Sequence, residues 1–121
     1  MRDLQMGTIE TSFAELIWTH EPITSTELVK LCAEKLDWKK STTYTVLRRL
    51  CDKGIFVNRD GAVSSLMSRE EYFARRSENF VEETFEGSLP AFLAAFTLRK
   101  KLNAEEAAAL RRMIDEYEET K

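Results

Sequence analysis

The sequence predicts a mainly α fold: three short helices closed by a two-stranded hairpin, then three further helices. Three observations carry this. Apolar residues recur at three- to four-residue spacing through most of the 121 residues, which is the helical period. Capping boxes interrupt that pattern at Thr24, Ser68 and Asn103, each a polar side chain followed three residues on by a glutamate, as at the start of a helix. Between them a β-rich run, Ile55–Arg59, meets Asp60-Gly61 and a second short run, the signature of a tight hairpin.

The first helix is expected from Thr8 to about Thr19, with Thr8 as its cap, Ile9, Phe13, Leu16 and Ile17 turned inward, and Glu21-Pro22 as its stop. The second opens at Thr24-Ser25-Thr26-Glu27 and buries Leu28, Leu31, Cys32 and Leu36. The third is read from Trp38 to Gly54, with Gly54 as a left-handed end. At about 100° per residue its inner stripe is Val46, Leu47 and Leu50, flanked by Thr43. Ser41, Tyr44, Thr45 and Arg48 face outward, with Thr42 and Arg49 on the shoulder.

Charge singles this helix out. Six basic residues between Trp38 and Arg59 (Lys39, Lys40, Arg48, Arg49, Lys53, Arg59) stand against one acid, Asp52, so the segment attracts phosphate. The alternative is a solvated helix face. Context favours the first reading: three helices and then a hairpin, with the returning strand from Ala62 to Met67, is the order of a winged helix-turn-helix, whose third helix enters the DNA major groove.

Past the hairpin, Ser68-Arg69-Glu70-Glu71 opens a long helix to about Glu86, with Tyr72, Arg76, Phe80, Thr84 and Phe85 on one face and Gly87 as its stop. A fifth helix, Ser88–Lys101, tolerates Pro90 in its first turn and carries Phe92, Leu93, Phe96 and Leu98. A sixth begins at Asn103-to-Glu106 and repeats Ala107, Leu110, Ile114 and Tyr117. The division expected is 1–68, a winged-helix domain, and 69–121, a helical domain. A lone segment of 53 residues buries too little surface to stand easily, so association with a second copy through Phe80, Phe85, Phe92, Leu93, Phe96, Leu110, Ile114 and Tyr117 is expected. The alternative packs these helices onto residues 1–68 as one monomer.

Composition excludes other classes. Hydrophobic content of 43% fits a small globular protein, and there is no apolar run near 18 residues and no basic-then-apolar leader, so no membrane insertion and a cytoplasmic location are expected. The net charge of −3 is concentrated in the second half: residues 1–68 hold nine basic and nine acidic residues, residues 69–121 nine and twelve. Cys32 and Cys51 lack CxxC spacing and nearby histidines, so reduced thiols are expected. His20 has no second ligand candidate. With no nucleophile–base pairing, metal cluster or glycine-rich phosphate loop, neither catalysis nor a cofactor is expected.

Glu10, Leu16-Ile17-Trp18, Thr24-x-x-Glu27, Asp37-Trp38, Thr42-x-x-Thr45-x-Leu47-x-Arg49-Leu50 with Lys53-Gly54, Ser68-x-x-Glu71-Tyr72, Phe85-x-Gly87-Ser88 and Leu102-x-x-Glu105-Glu106 form a pattern that resembles the penicillinase-repressor family, the BlaI/MecI/CopY group of bacterial transcriptional regulators, over nearly the whole chain. The resemblance implies a homodimeric repressor, a winged helix on a palindromic double-stranded operator, and a C-terminal dimerisation domain swapped around its twin. It maps base reading onto Thr42, Tyr44 and Thr45, with Lys39, Lys40, Ser41, Arg48, Arg49 and Arg59 at flanking or phosphate positions. In members controlling β-lactam resistance a membrane sensor with a metalloprotease domain leads to cleavage in the dimerisation domain, by position at Ala95-Phe96 here. The chain departs from the family in carrying Thr11 for an aromatic residue, Ser64-Ser65 in place of a wing tyrosine, Ala95 for a polar residue, and no CxC hook in Asp115–Lys121, so copper release by that route is not expected. The reading from a different class is a winged helix that contacts protein without DNA, which leaves the outward hydroxyl and arginine surface without a purpose.

Overall fold

The computed structural model describes residues 4–120. The elements are α1 (Thr8–His20), β1 (Ile23–Thr24), α2 (Ser25–Leu36), α3 (Lys40–Asp52), β2 (Phe56–Arg59), β3 (Ala62–Ser65), α4 (Arg69–Phe85), α5 (Leu89–Arg99) and α6 (Ala104–Thr120). This is the mainly helical fold with a hairpin wing that the sequence predicts. One strand was not foreseen. β1 pairs antiparallel with β3 through Ile23↔Val63 and Thr24↔Ala62, so the sheet has three strands in the order β1-β3-β2.

Local signals account for most boundaries. Thr24 Oγ1 accepts from the Glu27 backbone N–H at 3.1 Å and donates to Glu27 Oε1 at 2.9 Å, which caps α2. Asn103 and Glu106 exchange reciprocal bonds of 2.7 and 3.1 Å, a complete capping box at α6. Asp60 and Gly61 both adopt positive φ, 53° and 88°, as the two central residues of a type I′ hairpin turn require. α4 ends at two left-handed residues, Glu86 and Gly87.

Several boundaries differ from expectation: β3 ends at Ser65 and not at Met67, and α5 spans Leu89–Arg99 and not Ser88–Lys101. The cap of α1 is Gly7, with no side-chain bond, and Thr8 is already helical. Trp38 lies before α3, half-buried and stacked on Phe13 with ring centroids 5.3 Å apart. Ile9, expected inward, is 64% exposed. Phe13 and Ile17 are buried as expected, Leu16 is half-buried, and Ala14 joins the inner face.

The chain divides into two compact units that meet at Asn79/Phe80. In the first, Phe13, Ile17, Leu28, Cys32, Leu47, Leu50, Ile55, Phe56 and Val63 are buried around one core, each large apolar side chain contributing about 1.5–3 kcal/mol. Two further groups complete that core. Leu4 and Met6 are buried, and Tyr72, 2% exposed, donates its hydroxyl to the Leu4 carbonyl at 2.7 Å. Trp18 packs on Phe56, Tyr72 and Phe73 and donates Nε1–H to the Met67 carbonyl at 3.0 Å. The first turns of α4 therefore pack with the N-terminal unit. In the second unit Phe80, Phe85 and Phe92 meet edge to face at 5.7–5.9 Å and Phe96 lies 6.0 Å from Phe92. No apolar side chain among its described residues is fully buried.

Candidate nucleic-acid interface

α3 separates its residues as the periodicity predicts. Thr43, Val46, Leu47 and Leu50 are buried, while Lys39, Lys40, Ser41, Thr42, Thr45, Arg48 and Arg49 are exposed. The Thr43 hydroxyl donates to the Lys39 carbonyl at 3.3 Å, so its burial leaves the group satisfied. Thr45 Oγ1 donates to the Ser41 carbonyl at 2.9 Å, which leaves its lone pairs available as acceptors.

The start of α3 is built differently from that of α2. No side chain caps it and its first turn holds no acid, yet Lys39 and Lys40 sit there. Cations at a helix N-terminus are unfavourable by about 0.3–1 kcal/mol each. An anion at this position removes that penalty and meets the free backbone donors as well.

Three sequence-predicted residues are engaged within the chain. Tyr44 is half-buried against the core, and its hydroxyl donates to Ser25 Oγ at 3.2 Å. The Ser25 backbone N–H donates in turn to the Gly61 carbonyl at 2.8 Å, so one serine at the head of α2 joins α3 to the wing turn. Arg49 Nη1 stands 3.7 Å from Glu10 Oε1 on α1. The Lys53 ammonium donates to the Gln5 carbonyl. Arg59, at the end of β2, is exposed beside the turn.

The returning wing strand is held by a contact that periodicity could not reveal. Glu21 Oε1 accepts from both the backbone N–H and the hydroxyl of Ser65 at 2.8 and 2.7 Å, which fastens β3 to the end of α1. A cleft of about 340 Å³ opens between α3 and β2, with Leu47, Phe56 and Leu66 in its wall and Arg48 and Asn58 among its lining residues.

Both cysteines are free, Cys32 buried and Cys51 half-buried. Desolvation raises the Cys32 thiol pKa, opposed by its side-chain hydrogen bond with Thr43. Desolvation, helped by the charge of Asp52, raises that of Cys51. Thiolate is the reactive form, so a disulfide reagent at pH 7 should label neither at the rate of a free thiol, and Cys32 only on unfolding. Rapid native-state labelling of Cys32, followed by absorbance, would refute this.

The predicted association residues lie in the second unit. Phe85, Phe92, Leu93 and Leu110 are half-buried, whereas Phe80, Phe96, Ile114 and Tyr117 are 45–66% exposed. Leu89, Leu102 and Met113 are exposed as well. The sequence reading names none of these three for association, although Leu89 and Met113 continue the 3–4 stripes of α5 and α6; Leu102 precedes α6. Ala95 is half-buried and Phe96 follows it in the middle of α5.

The family model described as "Penicillinase repressor" matches residues 6–116. The chain belongs to the penicillinase repressor family. It is also 25% identical over 121 residues to the "Penicillinase repressor" of Bacillus licheniformis, covering 97% of this chain and 94% of that one. The family is one of transcriptional regulators and not of enzymes. For this family member the matched span takes in the outward face of α3, the wing, and the uncovered apolar residues of α5 and α6. No helix among the described residues is long and apolar enough to cross a membrane.

Proposed function

We propose that the protein is a homodimeric repressor that binds a palindromic DNA operator through two copies of α3 and releases it when the dimer opens. The carrying observation is the outward face of α3, where exposed hydroxyls lie beside cations that no side-chain cap or first-turn acid offsets. Thr42 and Thr45 offer hydroxyls and methyls to base edges, and Tyr44 joins them from the junction of α2 and α3. Lys39, Lys40, Ser41, Arg48 and Arg59 hold the phosphates on either side, and Arg49 flanks them. Residues 1–68 supply the DNA contact and residues 69–121 the association.

Release follows from geometry. A single winged helix makes few phosphate contacts, so a half-site binds near non-specific strength, about 10⁻⁴–10⁻⁶ M at physiological salt. A protease working beside a membrane sensor is the inducing partner in this reading, acting at Ala95-Phe96. That bond lies inside α5, so cutting requires local opening of the helix first.

The roles divide in a measurable way. Thr45→Ala should cost about 1–3 kcal/mol unevenly across operator variants, since it removes a base contact. Lys40→Ala should weaken every sequence alike and flatten the salt dependence by about one unit. Both are read by titrating a library of duplexes at several salt concentrations. Identical profiles for the two variants would defeat the assignment.

A further inference from the structure

We infer that Arg49 and Lys53 position α3 and do not contact DNA: they are the two ends of a clamp that fixes the helix against α1 and the N-terminal segment. This rests on the DNA-binding reading above and divides the basic patch in two. Arg49 and Lys53 lie one helical turn apart, so their side chains leave the same flank of α3.

Each is already committed. Arg49 faces Glu10 at 3.7 Å, and the other carboxylate oxygen, Glu10 Oε2, is buried without a hydrogen-bond partner among the described residues. A phosphate drawn to Arg49 would meet the negative charge of Glu10. It would also take the cation from a carboxylate with only 21% of its side chain exposed, a modest loss because the arginine itself is 52% exposed. Arg49 therefore adds little to the pull on phosphate, because Glu10 offsets its charge.

Lys53 caps the C-terminal end of α3 and donates to the Gln5 carbonyl. The next carbonyl upstream, that of Leu4, accepts from Tyr72 at 2.7 Å in the interior. Leu4 and Met6 anchor the segment in the core on either side of Gln5. A chain of contacts thus runs from Tyr72 through the N-terminal segment to the end of α3, and Glu10 holds the same flank one turn earlier. The neighbouring flank, with Ser41 and Arg48, carries no such side-chain ties among the described residues.

Glu10→Gln separates the two roles by sign. Full-length protein and the Glu10→Gln, Lys53→Met and Lys40→Ala variants are titrated across a salt series against a palindromic duplex that the unaltered protein selects from a random pool. Under the clamp, Glu10→Gln weakens binding by about two- to five-fold, the scale of a partly exposed ion pair, although it removes a negative charge from near the DNA. Lys53→Met weakens binding similarly and leaves the salt slope unchanged, while Lys40→Ala lowers the slope by about 0.9. Tighter binding by Glu10→Gln, or a slope lowered by about 0.9 in Lys53→Met, would overturn the inference, as would unchanged affinity in both. Thermal melting of each variant identifies a loss that comes from unfolding, and the isosteric Glu10→Gln keeps the sign test valid if Lys53→Met melts early. If the unaltered protein selects no sequence from the pool, the DNA-binding reading falls, and the clamp's function with it.

Discussion

Full-length protein carrying Ile114→Asp should sediment as a folded monomer and bind a palindromic operator about 10²–10⁴-fold more weakly than the unaltered protein. Ile114 is 58% exposed within the chain, and its neighbours Met113 and Tyr117 are 65% and 66% exposed, so a carboxylate at this position costs an isolated chain little. Covered by a second copy, the same carboxylate loses its water and finds no partner, which is among the most unfavourable changes an interface can suffer. The loss in DNA binding then follows from linkage: two joined winged helices meet the second half-site at high effective concentration, and separated ones do not. Sedimentation and operator titration at one fixed salt concentration test both halves. A dimer of unchanged stability would place the interface elsewhere. A monomer with unchanged operator affinity would end the proposal that dimer opening is the switch.

Phe13→Ala should lower the stability of the N-terminal unit by about 3–5 kcal/mol, the range for removing a buried phenylalanine. That is a large part of the 5–15 kcal/mol typical of a whole domain. Phe13 has no exposed surface, and its ring supports Trp38, the residue immediately before the cap of α3. The substitution therefore leaves a cavity and frees the approach to the first turn of α3, where Lys39 and Lys40 stand. Denaturant unfolding followed by tryptophan fluorescence should show the drop in midpoint together with a changed native signal. A loss below about 1.5 kcal/mol would mean that the core collapses around the gap and that the stack carries little.

What could be read from the sequence was what is local. The caps at Thr24, Ser68 and Asn103, the Asp60-Gly61 turn and the inner stripe of α3 each depend on residues within one or two turns of each other, and all are found where periodicity and spacing put them. What could not be read depends on partners far along the chain. β1 is two residues long and exists because β3 lies beside it. Tyr44 sits on the outward side by periodicity, yet Ser25 at the head of α2 takes its hydroxyl. Of the two wing serines, Ser65 is tied to Glu21, more than forty residues earlier, which accepts from its backbone N–H and its hydroxyl. Arg49 and Lys53 counted as free charges in the sequence, and only the tertiary arrangement brings Glu10 and the Gln5 carbonyl to them.

The bond from Tyr72 to the Leu4 carbonyl closes a loop of 68 residues, and this sets an order of events during synthesis. At roughly 5–20 residues per second, Tyr72 is polymerised about 3–14 s after Leu4. Throughout that interval the Leu4 carbonyl lacks the phenol that it accepts from in the folded unit. The N-terminal unit is therefore completed only once the start of α4 has left the exit tunnel, although almost all of its core was translated earlier.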